Sequence, residues 1–212
     1  SEQIDLLIAL ASLAAETNQV ANAIALCEQA LHLATVAGDR AAAARLHGKL
    51  GHLAQRRHDS ALALEHFSSA LALAESIDQP VLLSQALQHL ATAQHAVGDP
   101  EAVETYRRAI DAGQHLDDRH GLALMQLNLG ILLNEAGQQT EAIRLLREAA
   151  ARAADLGAAG EPMLQRAEAL LATIVEPPPF EPRTPSLRHV VAGNDADSGD
   201  DAVFRETTLP PL

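Results

Sequence analysis

Along most of this chain, apolar and small residues recur at intervals of three and four, in segments broken by short polar stretches. That period is the mark of a helix with one buried face, so the segments predict α-helices. Residues 121–155 show the pattern in full. Leu129, Leu133 and Leu146 supply the apolar body, while Gly130, Ala142 and Ala149 are small where two helices must touch. The breaks carry the expected punctuation. Gly38, Gly98, Gly137 and Gly157 follow apolar-periodic segments, where helices commonly end. Pro80 and Pro162 fall at helix starts, and Asp99-Pro100-Glu101 reads as an N-cap, a proline in the first helical position and an acid in the first turn. The segments predict helix pairs at 4–18 with 21–37, 41–57 with 60–76, 80–97 with 100–116 and 120–136 with 140–156, followed by a single helix at 161–175.

The pairs repeat. Aligning Leu10-Ala11, Leu50-Gly51, Leu90-Ala91 and Leu129-Gly130 gives steps of 40, 40 and 39 residues. Ala23, Ala63, Ala102 and Ala142 fall in step with them, as do Ala30, Ala70, Ala109 and Ala149. Between these alanines lies one larger position, held by Cys27, Phe67, Tyr106 and Leu146. Three columns in register over four units predict stacked supersecondary units, each contacting its neighbours. The helix at 161–175 repeats the first-helix pattern without a partner, and Glu161, Arg166, Glu168 and Glu176 give it a polar side suited to capping the stack.

Composition fits this picture. Hydrophobic content is 48 % but aromatics are only 2 %, and alanine-rich helices approach closely while burying little area each. The formal net charge of -13 disfavours nucleic acid and anionic lipid as partners. The single cysteine, Cys27, excludes an intrachain disulfide. No apolar run approaches a membrane span, and the acidic flanks of the first apolar segment are wrong for export, so a cytoplasmic location is expected.

The Leu-Gly, Ala, bulky residue, Ala order of residues 121–155 resembles the tetratricopeptide (TPR) repeat, and the step of about forty residues resembles its longer-repeat branch, found in kinesin light chains and in bacterial regulators. The resemblance covers about residues 4–175. It implies an all-α, right-handed solenoid of four hairpins with a capping helix, and a concave groove lined by first helices. It further implies a non-enzymatic scaffold or adaptor that binds an extended peptide from a protein partner. A regulatory arm of a bacterial transcription or signalling system is the alternative.

Carried over position by position, the family's groove residues fall on Arg45, Lys49, His52 and Arg56 in the second repeat. In the third they fall on Gln85, Gln88, His89, Thr92 and His95. In the fourth they fall on Leu124, Leu127, Asn128, Ile131, Asn134 and Glu135. The spacing of the first set places it on one helical stripe in any case. Against the acidic chain this stripe suits a carboxylate-bearing segment, since an arginine fork pairs a carboxylate bidentately. Asn128 precedes the Leu-Gly pair, where longer-repeat relatives use an asparagine on the backbone of a bound peptide.

Catalysis, cofactors and metals are not expected. Cys27 sits in a core column, there is no glycine-rich phosphate loop, and His47/His52, His89/His95 and His115/His120 are spaced to splay apart on a helix. From Pro177 the composition becomes proline-rich and then acidic, which sets residues 1–176 apart as the repeat domain and 177–212 as a tail. Two readings of the tail are open: a flexible segment, or one docked in cis or on a partner. Its Asp195, Asp197, Asp200 and Asp201 could meet the basic stripe of the same or another chain. Oligomeric state is not legible in the residues.

Overall fold

The structure, a computed structural model, describes residues 2–175. These form helices α1 (Glu2–Glu16), α2 (Val20–Ala37), α3 (Arg40–Arg56), α4 (Ser60–Glu75), α5 (Pro80–Ala96), α6 (Ala102–Gly113), α7 (Arg119–Glu135), α8 (Gln139–Asp155) and α9 (Glu161–Val175), with a short 3-10 turn, Gly157–Ala159, before the last. Each odd helix pairs with the even helix that follows it, and successive hairpins stack into an all-α solenoid.

The ends of these helices follow from local chemistry. Asp39, Asp59 and Asp118 are N-caps: their carboxylates accept from the backbone N–H of Ala42 at 2.9 Å, Leu62 at 3.1 Å and Gly121 at 2.8 Å. Each satisfies one of the donors a helix start leaves free. Within the hairpins the chain turns through a left-handed residue at Asn18, His58, Gly98 and Gly137, with φ of 60°, 59°, 73° and 75°. These four keep the repeat's steps, so the turn is a further repeat column that glycine fills in two units and Asn or His in the others.

Small columns set how closely the helices approach. A Cβ on Gly51 would lie 2.5 Å from Phe67 Cε1, and one on Gly130 would lie 2.9 Å from Leu146 Cγ. Each hairpin therefore fits a small residue of its first helix against the larger column residue of its second. Between hairpins, Leu46, Leu50 and Leu53 of α3 pack into one cluster with Ala23, Cys27, Ala30 and Ala34 of α2.

Among the described residues the backbones of α1 and α3, α3 and α5, α5 and α7, and α7 and α9 approach one another directly, whereas those of the even helices do not. The stack therefore bends toward the odd helices, and their exposed residues line its inner side. Long side chains bridge the even helices on the outer side. Arg108 of α6 pairs with Glu75 of α4 at 2.6 Å, and Arg107 of α6 pairs with Glu141 of α8 at 3.1 Å.

Some expectations need correction. Asp99 does not cap α6 directly: its carboxylate accepts from Glu101 N at 2.9 Å, Pro100 and Glu101 form a turn, and the helix starts at Ala102. That helix also stops at Gly113, short of the expected 116, where an added Cβ would lie 2.9 Å from Ser84 Oγ. One helix, Val20–Ala37, is long and apolar enough to cross a membrane by length and composition, with mean hydropathy 1.3 over 18 residues. Its buried residues, Ala23, Cys27, Ala30 and Ala34, pack in one cluster with residues of α1 and α3. The expectations for Glu176 and for the tail, including its four aspartates, lie outside the described residues.

Candidate functional site

The basic residues of α3 share one stripe, as their spacing requires. The stripe runs between two clefts. One, of about 210 Å³, lies toward α1, and Lys49, His52 and Arg56 stand on its wall. The other, of about 280 Å³, lies toward α5 and is bordered by Arg45, Lys49, His52, Gln85 and His89. Lys49 and His52 belong to both.

The stripe is partly engaged with its own fold, which sequence spacing did not reveal. Lys49 Nζ donates to Ser12 Oγ of α1 at 2.9 Å. Arg56 Nη1 donates to Ala15 O at 2.7 Å, and Nη2 donates to Asn18 Oδ1 at 3.0 Å. A guanidinium at the carbonyl end of α1 is favourably placed against the helix dipole. These bonds hold both cations toward the α1 cleft. Arg45 is exposed and makes no such bond among the described residues.

The histidines gather across helices rather than along them. The rings of His52 and His89 stand edge-on with centroids 4.4 Å apart, and His52 also stands edge-on to Phe67 at 5.1 Å. Burial, with His52 beside it, lowers His89 to about 4. Burial likewise lowers His52, with Lys49 adding to the effect and a hydrogen bond to Gln55 opposing it. At neutral pH this part of the groove is therefore an uncharged aromatic wall beside Arg45 and Lys49. A second pair, His47 and His66, brings its Nδ1 atoms to 3.1 Å, and burial lowers His47, reinforced by His66. Both contacts join residues of different helices, so spacing within one helix could not show them.

Further along, Gln85 and Thr92 are exposed, and Gln88, His95, Asn128 and Asn134 are half-buried. His95 Nε2 lies 3.8 Å from Glu135 Oε2. The Tyr106 hydroxyl reaches through from α6, donating to Thr92 Oγ1 at 3.2 Å, with the Asn128 side chain nearby. Burial raises the tyrosine's pKa, and these two neighbours pull it back. Ile131 is buried in a cluster with Ala149, Met163 and Ala167, so α9 covers it.

On the outer side, a cleft of about 340 Å³ is bordered by Arg107, Gln126, Glu141, Arg144, Glu148 and Arg152. Its charges answer one another. Arg144 pairs with Glu148 at 2.7 Å, and buried Gln126 donates to Glu148 Oε2 at 2.7 Å while accepting from Arg152 at 2.8 Å. This network ties α7 to α8, and Arg107 extends it to α6.

No family model matches the chain, and no curated protein matches it in sequence. Solved structures do. Aspartyl phosphate phosphatase F from Bacillus subtilis superimposes with a TM-score of 0.75 at 16 % identity over 84 % of this chain, which spans 46 % of that one. The nearly identical TPR-like repeats of a kinesin light chain from Podosopora anserina superimpose with a TM-score of 0.66 at 20 % identity, covering 81 % of this chain and 84 % of that one. BtubC (BKLC) from P. vanneervenii gives a TM-score of 0.61 at 19 % identity, over 87 % of this chain and 69 % of its own. At such identities likeness speaks for architecture, and together with the forty-residue columns, the close helix pairs and the bend toward the first helices it gives this chain the TPR-like repeat fold.

Proposed function

We propose that the chain is a protein-interaction scaffold whose inner face binds an extended, acidic peptide segment of a protein partner. The observation that carries this reading is the placement of Arg45, Lys49 and Arg56 on one stripe between two clefts, in a chain of net charge -13. Two of the three cations are positioned by bonds to α1, which lowers the ordering cost of meeting a carboxylate. Beyond them the groove offers neutral His52 and His89, then the amides of Gln85, Gln88, Asn128 and Asn134, which suit a peptide backbone.

The second reading, a regulatory module of a transcription or signalling system, draws on one observation: a similar structure is named for acting on an aspartyl phosphate, and this chain spans 46 % of it. The tail bears on both readings, since Asp195, Asp197, Asp200 and Asp201 carry the chemistry this groove selects and would compete for it in cis or in trans.

Fluorescence anisotropy with labelled Asp/Glu-rich, Ser-rich and Lys-rich peptides of equal length tests the proposal. The acidic peptide should bind tightest and weaken with salt. R45A/K49A should weaken it about tenfold or more, and removal of residues 177–212 should strengthen it. Equal affinity for all three peptides, or no response to R45A/K49A, would overturn the groove as the site.

A further inference from the structure

In three hairpins a large, fully buried column residue stands in register with a small partner: Phe67 with Gly51, Tyr106 with Ala91 and Leu146 with Gly130, in close contact at the two glycines. The first hairpin differs. Its column holds Cys27, equally buried, in register with Ala11, and a thiol is much smaller than a phenyl, phenol or isobutyl group. The cleft of about 210 Å³ opens at this place. Ala11, Ala15, Cys27 and Leu53 are among the residues that form it, and Lys49 and Arg56 stand beside them. Its volume lies below the roughly 300–1,000 Å³ of small-molecule pockets, and suits a single side chain. Burial raises the Cys27 thiol pKa, with Lys49 only partly opposing this, so Cys27 acts as a small apolar wall rather than a thiolate.

The cations beside the cleft retain bonding capacity. Lys49 Nζ spends one of its three donors on Ser12 Oγ, and Arg56 spends one N–H on Ala15 O and another on Asn18 Oδ1, of the five a guanidinium carries. An apolar recess beside two fixed positive charges matches a ligand in which an aliphatic group and a carboxylate are close together.

We propose that this cleft is an anchor subsite: it takes one leucine-sized side chain of the bound peptide, while a neighbouring Asp or Glu of the same peptide meets Lys49 and Arg56. The inference rests on the peptide-groove reading and names what the groove selects. Specificity then comes from the one hairpin whose column is underfilled, and the fully packed columns of the others set the fold.

An array of twelve-residue peptides built from Asp, Glu, Ser and Gly tests this, each with a single Leu at a scanned position and a matched copy with Ala there. The full chain should bind the best Leu peptide about tenfold or more tightly than its Ala copy, as burial of a leucine side chain implies, with an acid at fixed spacing. The double variant A11G/C27F installs the pair found at Gly51 and Phe67, and C27L fills the cleft by a smaller change. Either should erase the Leu preference while leaving affinity for the Ala copy within about twofold. In the unsubstituted protein, the Leu peptide should shift the amide resonances of Ala11, Ala15 and Leu53 more than its Ala copy does. If acidic peptides bind with no preference for Leu and no such shifts, the anchor fails and the groove stands. If a folded variant keeps the Leu preference, the anchor also fails. If no acidic peptide binds, the groove reading fails and the anchor falls with it.

Discussion

His89 is where a single residue ties the groove to the stability of the stack. It sits over Gly48, where an added Cβ would lie 3.7 Å from its Nδ1, and edge-on to His52. Burial holds its pKa at about 4, below the ordinary 6.5. A histidine depressed in this way binds its proton more weakly in the folded state than in the unfolded one. Its contribution is therefore intact above pH 6.5, is lost as pH falls from 6.5 to 4, and is level below that. The loss amounts to roughly 2–3 kcal/mol. Urea midpoints at pH 7.5 and 4.5 should show H89Q losing less stability between them than the unsubstituted protein, by about 2 kcal/mol. Equal losses would show that His89 takes up its proton without disturbing the stack. Sequence reasoning reached His89 through its repeat position but not its environment. Its partners come from α3 and α4, and meeting them depends on how hairpins stack. The engagement of Arg56 with Ala15 and Asn18 escaped for the same reason. The small size of Cys27 is legible in the column it shares with Phe67, Tyr106 and Leu146, whereas the cleft beside it depends on how α3 packs onto α1.

At the scale of the helix pair, the distance between α3 and α4 is set by Gly51 against Phe67. An alanine at 51 would place its Cβ within 2.8 Å of three ring atoms of Phe67, so the helices must part or the ring must leave its rotamer. G51A should destabilise the chain by about 1–3 kcal/mol. The first hairpin offers the remedy, since Ala11 opposite Cys27 is the same junction with the small residue a methyl larger and the large residue much smaller. In G51A/F67C the added methyl should partly refill what the lost ring leaves, making the double variant less destabilised than the two single changes summed. A double-mutant cycle in urea measures the coupling, and strict additivity would mean that the two residues do not set the helix spacing. This junction also explains why the fold was so legible. Spacing between helices is fixed by side-chain size at a few columns, and size can be read directly from residue identity, as apolar periodicity can. The start of α6 was harder. Asp99 and Pro100 fit an N-cap and a first helical residue, yet the chain uses them for a turn, and local propensity does not distinguish a cap from a turn two residues earlier.

Residues 2–175 form a row of equivalent junctions, and the outermost helices test that description. Leu46, Leu50 and Leu53 of α3 are 0 %, 4 % and 5 % exposed, because they pack onto the preceding hairpin. One repeat earlier, Leu6, Leu10 and Leu13 hold the same register on α1 and are 60 %, 42 % and 57 % exposed. The same chemistry thus has two energies according to place. L46A removes a fully buried side chain from a junction and should destabilise by about 2–5 kcal/mol. L6A removes one that is mostly in water and should change stability by no more than about 0.5 kcal/mol. Because each hairpin is held chiefly by its neighbours, L46A should also loosen the stack unevenly. Amide exchange should quicken first in α1 and α2, which lose their packing onto α3, and last in α7 and α8. Uniform acceleration would show one cooperative unit instead of a row of coupled ones. If L6A proved as damaging as L46A, the α1 edge would be covered in solution, and sedimentation of the two variants beside the parent would tell whether a second copy covers it. With L6A silent, stability resides in the junctions between hairpins, and the inner surface those junctions hold in place is free to vary from one repeat to the next.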